Sequence, residues 1–122
     1  MKKIFGIKTR YGIIKGRDGI YLDSIVSHDE TKITFEGEFN TDLGFKKYTL
    51  KFSGIVYLQS IELDFCNKIY MESFCVIEDS TLIKRFKKLN HSNKLNENHK
   101  HYYFQTYDTV FEIVADHYDL TY

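Results

Sequence analysis

The chain has 122 residues, enough for one domain that builds its own core without disulfides or metals. Seventeen Lys and Arg balance seventeen Asp and Glu, which excludes the positive field that a general nucleic-acid binder needs. Aromatic residues reach 16%, all Phe and Tyr, and proline is absent, so disordered and collagen-like readings fail. The bias toward Lys, Asn, Ile, Tyr and Phe suits an AT-rich, bacterial genome.

Charge is unevenly spread. Residues 1–19 carry six Lys/Arg and one Asp, and residues 20–45 carry six acids and one Lys. Residues 84–100 carry six Lys/Arg and one Glu, and residues 101–122 carry four acids. Blocks of opposite sign on paired strands attract across a sheet, and this is preferred to a polarised binding surface.

In chain order, "KIFGIKT" (3–9) reads as a first strand. Asp18-Gly19 suits a tight turn between residues 13–17 and "IYLDSIV" (20–26). "SHDET" (27–31) turns the chain into "KITFEGEF" (32–39), whose strict alternation marks a half-buried strand. After the turn "NTDLG" (40–44), residues 46–65 form one strand bent at Ser53-Gly54, or two. "KIYMESFCVI" (68–77) is a further strand. The period then changes. "DSTLIKRFKKLN" (79–90) sets Leu82, Ile83, Phe86 and Leu89 on one helical face, with Asp79 or Ser80 as its cap. The Asn-rich loop 90–100 leads into the closing hairpin, "HYYFQTYDTVFEIVAD" (101–116).

If Asp108-Thr109 form the tip of that hairpin, Phe104 faces Ile113, Tyr102 faces Ala115 and Thr106 faces Phe111 on an apolar side. Gln105 then faces Glu112, Tyr103 faces Val114 and His101 faces Asp116 on a wetter side. Seven or eight antiparallel strands with one short helix give a mainly β fold, a barrel or sandwich, with α+β as the alternative.

Candidate chemistry is sparse. His99 and His101 lie two apart, so on a strand they share a face, and with Asp116 and Glu112 they form a polar cluster. Ligands do not arrive at a diagnostic spacing, so no metal and no cofactor is expected, and a solvated His–Asp pair is the preferred reading. Glu62, Asp64 and Glu72 form a second acidic group, read as the polar side of adjacent strands. Of the ring-bearing residues Tyr48, Phe52, Tyr57, Phe65, Tyr70, Phe74, Tyr102, Phe104 and Phe111, most belong to a core. Tyr103 and Tyr107 point outward and are candidate interface residues. Phosphate-loop, dinucleotide-binding, nucleophile-elbow and CxxC motifs are absent from the sequence. Cys66 and Cys75 read as thiols in a reducing cytoplasm, with no secretory signal and no apolar run long enough for a membrane span.

The stretches "HYYFQTYDTVFEIVADHYDL" (101–120) and "SFCVIEDSTLIKRF" (73–86) resemble parts of small bacterial β-rich domains, over about a third of this chain. Some of those are of the immunity type, which bind and block a toxin domain. The resemblance implies a protein partner and carries over no functional residue. The expectation is a single cytoplasmic domain acting as a non-enzymatic binding module, with another protein as partner and neither nucleic acid nor membrane. A homo-oligomer stays open. The alternative is a small-ligand or metal-binding barrel, enzymatic through its C-terminal hairpin.

Overall fold

The computed structural model describes residues 3–90 and 93–122. They form eleven strands in three antiparallel sheets. In chain order these are β1 (Lys3–Gly6), β2 (Lys8–Thr9), β3 (Gly12–Ile13), β4 (Ile20–Asp29), β5 (Lys32–Thr41), β6 (Gly44–Ser53), β7 (Tyr57–Glu62), β8 (Phe74–Glu78), β9 (Lys100–Gln105), β10 (Thr109–Ala115) and β11 (His117–Thr121). One helix, α1 (Thr81–Lys88), and a 3-10 turn at Leu63–Phe65 complete the set.

The five-stranded sheet runs β1-β8-β9-β10-β7 and the four-stranded sheet runs β11-β6-β5-β4; β2 and β3 form a small ribbon. Neither large sheet closes on itself, so the fold is a sandwich and not a barrel. The alternation of β5 does what its pattern requires: Ile33, Phe35 and Phe39 are buried while Glu36 is exposed. Opposite them, Tyr48, Leu50 and Phe52 of β6 are buried on the same side. These meet Phe74, Tyr102, Phe104, Phe111 and Ile113 of the other sheet in one core. Phe35 lies 4.9 Å from Phe111 and 5.2 Å from Phe104, ring centre to ring centre, and Phe52 lies 5.2 Å from Tyr102. With no Trp available, these stacked and tilted Phe and Tyr pairs supply the bulk of the packing.

The chain changes sheets at Ser53-Gly54, where residues 46–65 divide into β6 and β7. Gly54 has φ +64, and a Cβ there would overlap the Asp116 carboxylate, so the corner needs glycine twice over. Four expectations are corrected. Residues 13–17 do not pair with β4: the chain turns earlier, between β2 and β3, and Lys15 pairs with Glu72. Residues 68–73 lie outside β8, and of the expected core rings Phe65 is 80% exposed. The charge blocks do not pair as blocks. Instead, wherever two charges stand opposite each other in the described ladders, their signs differ: Lys3 with Glu78, Lys15 with Glu72, Asp29 with Lys32, Glu38 with Lys47, and Lys51 with Asp119.

Helix α1 forms where the periodicity places it. Ser80 is its cap, accepting from the Ile83 N–H at 3.2 Å, and Arg85, Lys87 and Lys88 sit in its last turn, where cations complement the helix dipole. None of its residues is buried, and Leu89 is 62% exposed. The helix rests on the sheet lightly, through half-buried Leu82, Ile83 and Phe86, with Phe86 5.5 Å from the Tyr57 ring. Phe86→Ala should therefore cost only about 1–2 kcal/mol, against about 3–5 kcal/mol for Phe104→Ala in the sandwich core. Chemical denaturation of the two variants checks this; equal losses would mean that the helix is seated as deeply as the core.

Candidate functional site

The closing hairpin sorts its faces as its sequence implies, but with another register. Thr106 and Thr109 close the turn: the Thr106 N–H donates to Thr109 O at 2.8 Å, and the Thr109 N–H donates to Thr106 Oγ1 at 3.2 Å. The tip is thus Tyr107-Asp108, one residue earlier than expected. Phe104 faces Phe111, Tyr102 faces Ile113, Tyr103 faces Glu112 and His101 faces Val114. This slides one strand by two residues, which preserves the side on which each residue points. Phe104, Phe111 and Ile113 are accordingly buried, whereas the partner of His101 changes.

His101 meets Glu112 instead of Asp116. Its Nε2 lies 2.9 Å from Glu112 Oε1, and its Nδ1 lies 2.7 Å from Ser80 Oγ. Ser80 Oγ already accepts from the Ile83 N–H, so its own proton is free to go to Nδ1, leaving Nε2–H to donate to the carboxylate. The chain Ser80–His101–Glu112 therefore runs from the start of α1, through β9, to β10. His101 and Ser80 are each 4% exposed, while Glu112 reaches solvent.

A hydroxyl, an imidazole and a carboxylate in series are also the groups that activate a nucleophile in hydrolases. Here the hydroxyl oxygen is engaged as a helix cap and buried. The series acts as a strut fastening a lightly packed helix to the sheet. The capping serine was legible in the sequence; its link to His101 was not, because it joins residues 21 apart through the tertiary fold.

His99 does not join this cluster. Its Nδ1 accepts from the Asn96 N–H at 2.9 Å, so the other nitrogen carries the proton and donates to Gly54 O at 2.9 Å. One nitrogen thus holds the turn at Asn96 and the other fastens it to the Gly54 corner, and metal ligation by His99 would break one of these bonds. Asp116 sits beyond β10, beside that same glycine. Among the described residues no group of three His, Cys, Asp or Glu side chains converges as metal ligands. Glu62, Asp64 and Glu72 also remain apart: Glu62 accepts from the Asp64 N–H, Asp64 pairs with Arg17 at 3.9 Å, and Glu72 stands opposite Lys15.

Tyr103 is not an interface residue. It is 1% exposed, because the side expected to be wet is covered by a second apolar cluster of Leu63, Cys75, Ile77 and Val110. Its hydroxyl donates to Gln105 Oε1 at 2.7 Å and accepts from the Tyr70 N–H at 3.2 Å. Burial raises the pKa of Tyr103 and of Tyr48, moves Tyr102 up to about 12, and moves the Cys75 thiol up to about 12.

Tyr107 does lie at the surface, 40% exposed at the hairpin tip. It stacks on Tyr21 at 5.4 Å with the ring planes 14° apart, and Tyr21 in turn meets Phe45 edge-on at 5.6 Å. The Arg17 guanidinium lies over the Tyr107 ring at 4.8 Å, and its Nε–H donates to Tyr107 O at 3.0 Å. Beyond Arg17, a cleft of about 640 Å³ is lined by Leu63, Cys66, Ile69 and Met71. Phe45, Tyr107, Ile69 and Met71 are all at least 40% exposed, so one end of the sandwich presents a continuous aromatic and apolar surface.

Two outcomes test this geometry. Ser80→Ala and His101→Ala should be non-additive in denaturant unfolding, with a coupling of about 0.5–3 kcal/mol, as for residues sharing one hydrogen-bond chain; strict additivity would dissolve the strut. In alkali, the unfolded chain releases phenol protons near the ordinary value of 10.0, while Tyr48, Tyr102 and Tyr103 hold theirs to higher pH. The folded state then binds more protons than the unfolded one, so stability is full below about pH 9 and falls as pH climbs toward 12. Denaturant midpoints measured across that range check the sign; a rise with pH would contradict it.

No protein-family model, no curated protein and no solved structure matches this chain, so what its site can do is read from its own residues.

Proposed function

We propose that this protein is a binding module that recognises another protein through the aromatic end formed by Arg17, Tyr21, Phe45 and Tyr107. The observation that carries this reading is the exposed stack of Tyr107 on Tyr21, clamped by Arg17. Tyr and Arg are the residues that most often dominate binding energy at protein interfaces, and Met and Phe are enriched there too. The rings are ordered by one another in the free protein, so little conformational freedom remains to be lost on association. Tyr107 sits at a turn held by Thr106 and Thr109, on the rim of a rigid sandwich, where recognition residues are commonly displayed. Blocking a toxin domain, the role implied by the resemblance of residues 73–86 and 101–120, is one form such binding takes.

The test is comparative capture from the source cell. Wild-type protein, the variant Tyr107→Ala/Phe45→Ala and a control changed on the outer sheet face, Thr49→Ala, are used as baits, and the retained proteins are identified by mass spectrometry. A partner held by wild type and control but lost by the aromatic variant is the expected result. With that partner purified, Tyr107→Ala should weaken binding by about 1–4 kcal/mol, the range of interface anchors. Unchanged affinity in the aromatic variant would remove this end of the molecule from the function.

A further inference from the structure

A second surface, on the side of the fold that carries α1, is built for a partner of different chemistry. The helix reads "TLIKRFKK", with four cations and no acid in eight residues. Lys84 pairs with Asp79 just before the helix, whereas Arg85, Lys87 and Lys88 make no ion pair among the described residues. Beside the helix lies a cleft of about 650 Å³ with apolar walls from Ile55, Val56, Phe86, Leu89 and Leu95, and with Lys94 at its rim. Leu89 and Val56 are 62% and 40% exposed. Arg85 and Lys88 flank Phe86 and Leu89 along the helix, so cation and apolar anchor stand side by side.

We propose that this face binds an acidic polypeptide segment, with an apolar side chain seated between Leu89 and Val56 and carboxylates against Arg85, Lys88 and Lys94. Charge complementarity sets the partner's sign, and the exposed leucine and valine favour a polypeptide over a bare phosphate backbone. Glu30 and Asp116 also line the cleft and repel acid, so the segment's carboxylates lie toward the helix cations and Lys94. Arg85, whose guanidinium lies 5.4 Å from the Phe86 ring, places its charge beside the apolar wall of the cleft. A long apolar groove alone would accept many peptides; the one-sided charge makes this one selective.

The experiment uses the full chain and a fluorescein-labelled peptide of repeated Glu-Glu-Leu, followed by fluorescence anisotropy. The matching Lys-Lys-Leu peptide, poly(dT) and phosphatidylserine vesicles serve as competitors. Saturable binding of the acidic peptide is expected, and it should weaken at least about tenfold as salt rises from about 0.1 to 1 M and the screening length shrinks. The variant Arg85→Glu/Lys88→Glu should lose about tenfold or more, and Leu89→Ser should weaken binding while leaving its salt dependence in place. Because charge reversal can disturb α1, Arg85→Gln/Lys88→Gln is measured as well, with thermal melts of each. Absence of binding by the acidic peptide, equal binding by the charge variants, or tighter binding of poly(dT) or vesicles that is lost in those variants would overturn the proposal. Capture of a partner through the aromatic end should be unaffected by Arg85→Gln/Lys88→Gln, so the two surfaces stand or fall separately.

Discussion

Strand β9 is buried on both sides, and the rest of the molecule is arranged around that constraint. It is the middle strand of the five-stranded sheet, and from His101 to Gln105 every residue is covered. Tyr102 and Phe104 point into the sandwich, where Phe35, Phe52 and Phe74 meet them. His101, Tyr103 and Gln105 point the other way, toward a layer made of α1 and the irregular stretch around Leu63, Cys66 and Tyr70. A strand placed so deeply tolerates polar side chains only if they are paired, since an unpaired buried polar group costs about 1–3 kcal/mol. Among the described residues no buried side-chain nitrogen or oxygen lacks a partner.

The pairings made under this constraint define the outer layer. The Tyr103 hydroxyl donates to Gln105 and accepts from the Tyr70 backbone N–H, which ties down a segment with no regular structure of its own. His101 reaches up to Ser80 and across to Glu112, so the start of α1 is fastened by a hydrogen-bond chain even though no residue of the helix is buried. Polar groups therefore hold in place what apolar contact holds only weakly. The same burial explains the raised phenol and thiol pKa values: where charge is excluded, the neutral form is favoured.

Much of this was legible in the sequence. The period-two pattern of residues 32–39, the shift to a helical period at 79–90, the corner at Gly54 and the burial of Phe104, Phe111 and Ile113 all follow from local pattern. The hairpin shows where local reasoning stops. Registers two residues apart give the same faces, so pattern could not choose between Asp108-Thr109 and Tyr107-Asp108 as the tip; the Thr106 hydroxyl, bonded to Thr109, is associated with the second. Tyr103 was misplaced for a different reason. Alternation tells which residues share a side, not how many layers lie beyond it, and the covering layer here comes from segments far away in the chain. The same limit hid the His101–Glu112 contact and the separation of His99 from it.

Burial of β9 on both sides also narrows where the proposed recognition can occur. Around β9 one face of the five-stranded sheet packs on the other sheet and the second lies under α1 and the stretch around Leu63, Cys66 and Tyr70, while the edge strand β7 stays largely exposed. On the outer face of the four-stranded sheet, Glu38 stands opposite Lys47 and Lys51 opposite Asp119, so charges of opposite sign face each other there. Both surfaces proposed for partners lie at the rim, where loops end and side chains have no opposite strand to satisfy them. Tyr107 occupies that position at the tip of the closing hairpin, and Arg85 and Lys88 occupy it on the one element added from outside the sandwich. The rim residues that are aromatic order one another by stacking, whereas Arg85, Lys87 and Lys88 make no ion pair among the described residues. The first arrangement suits contact through shape and apolar area, the second contact through charge.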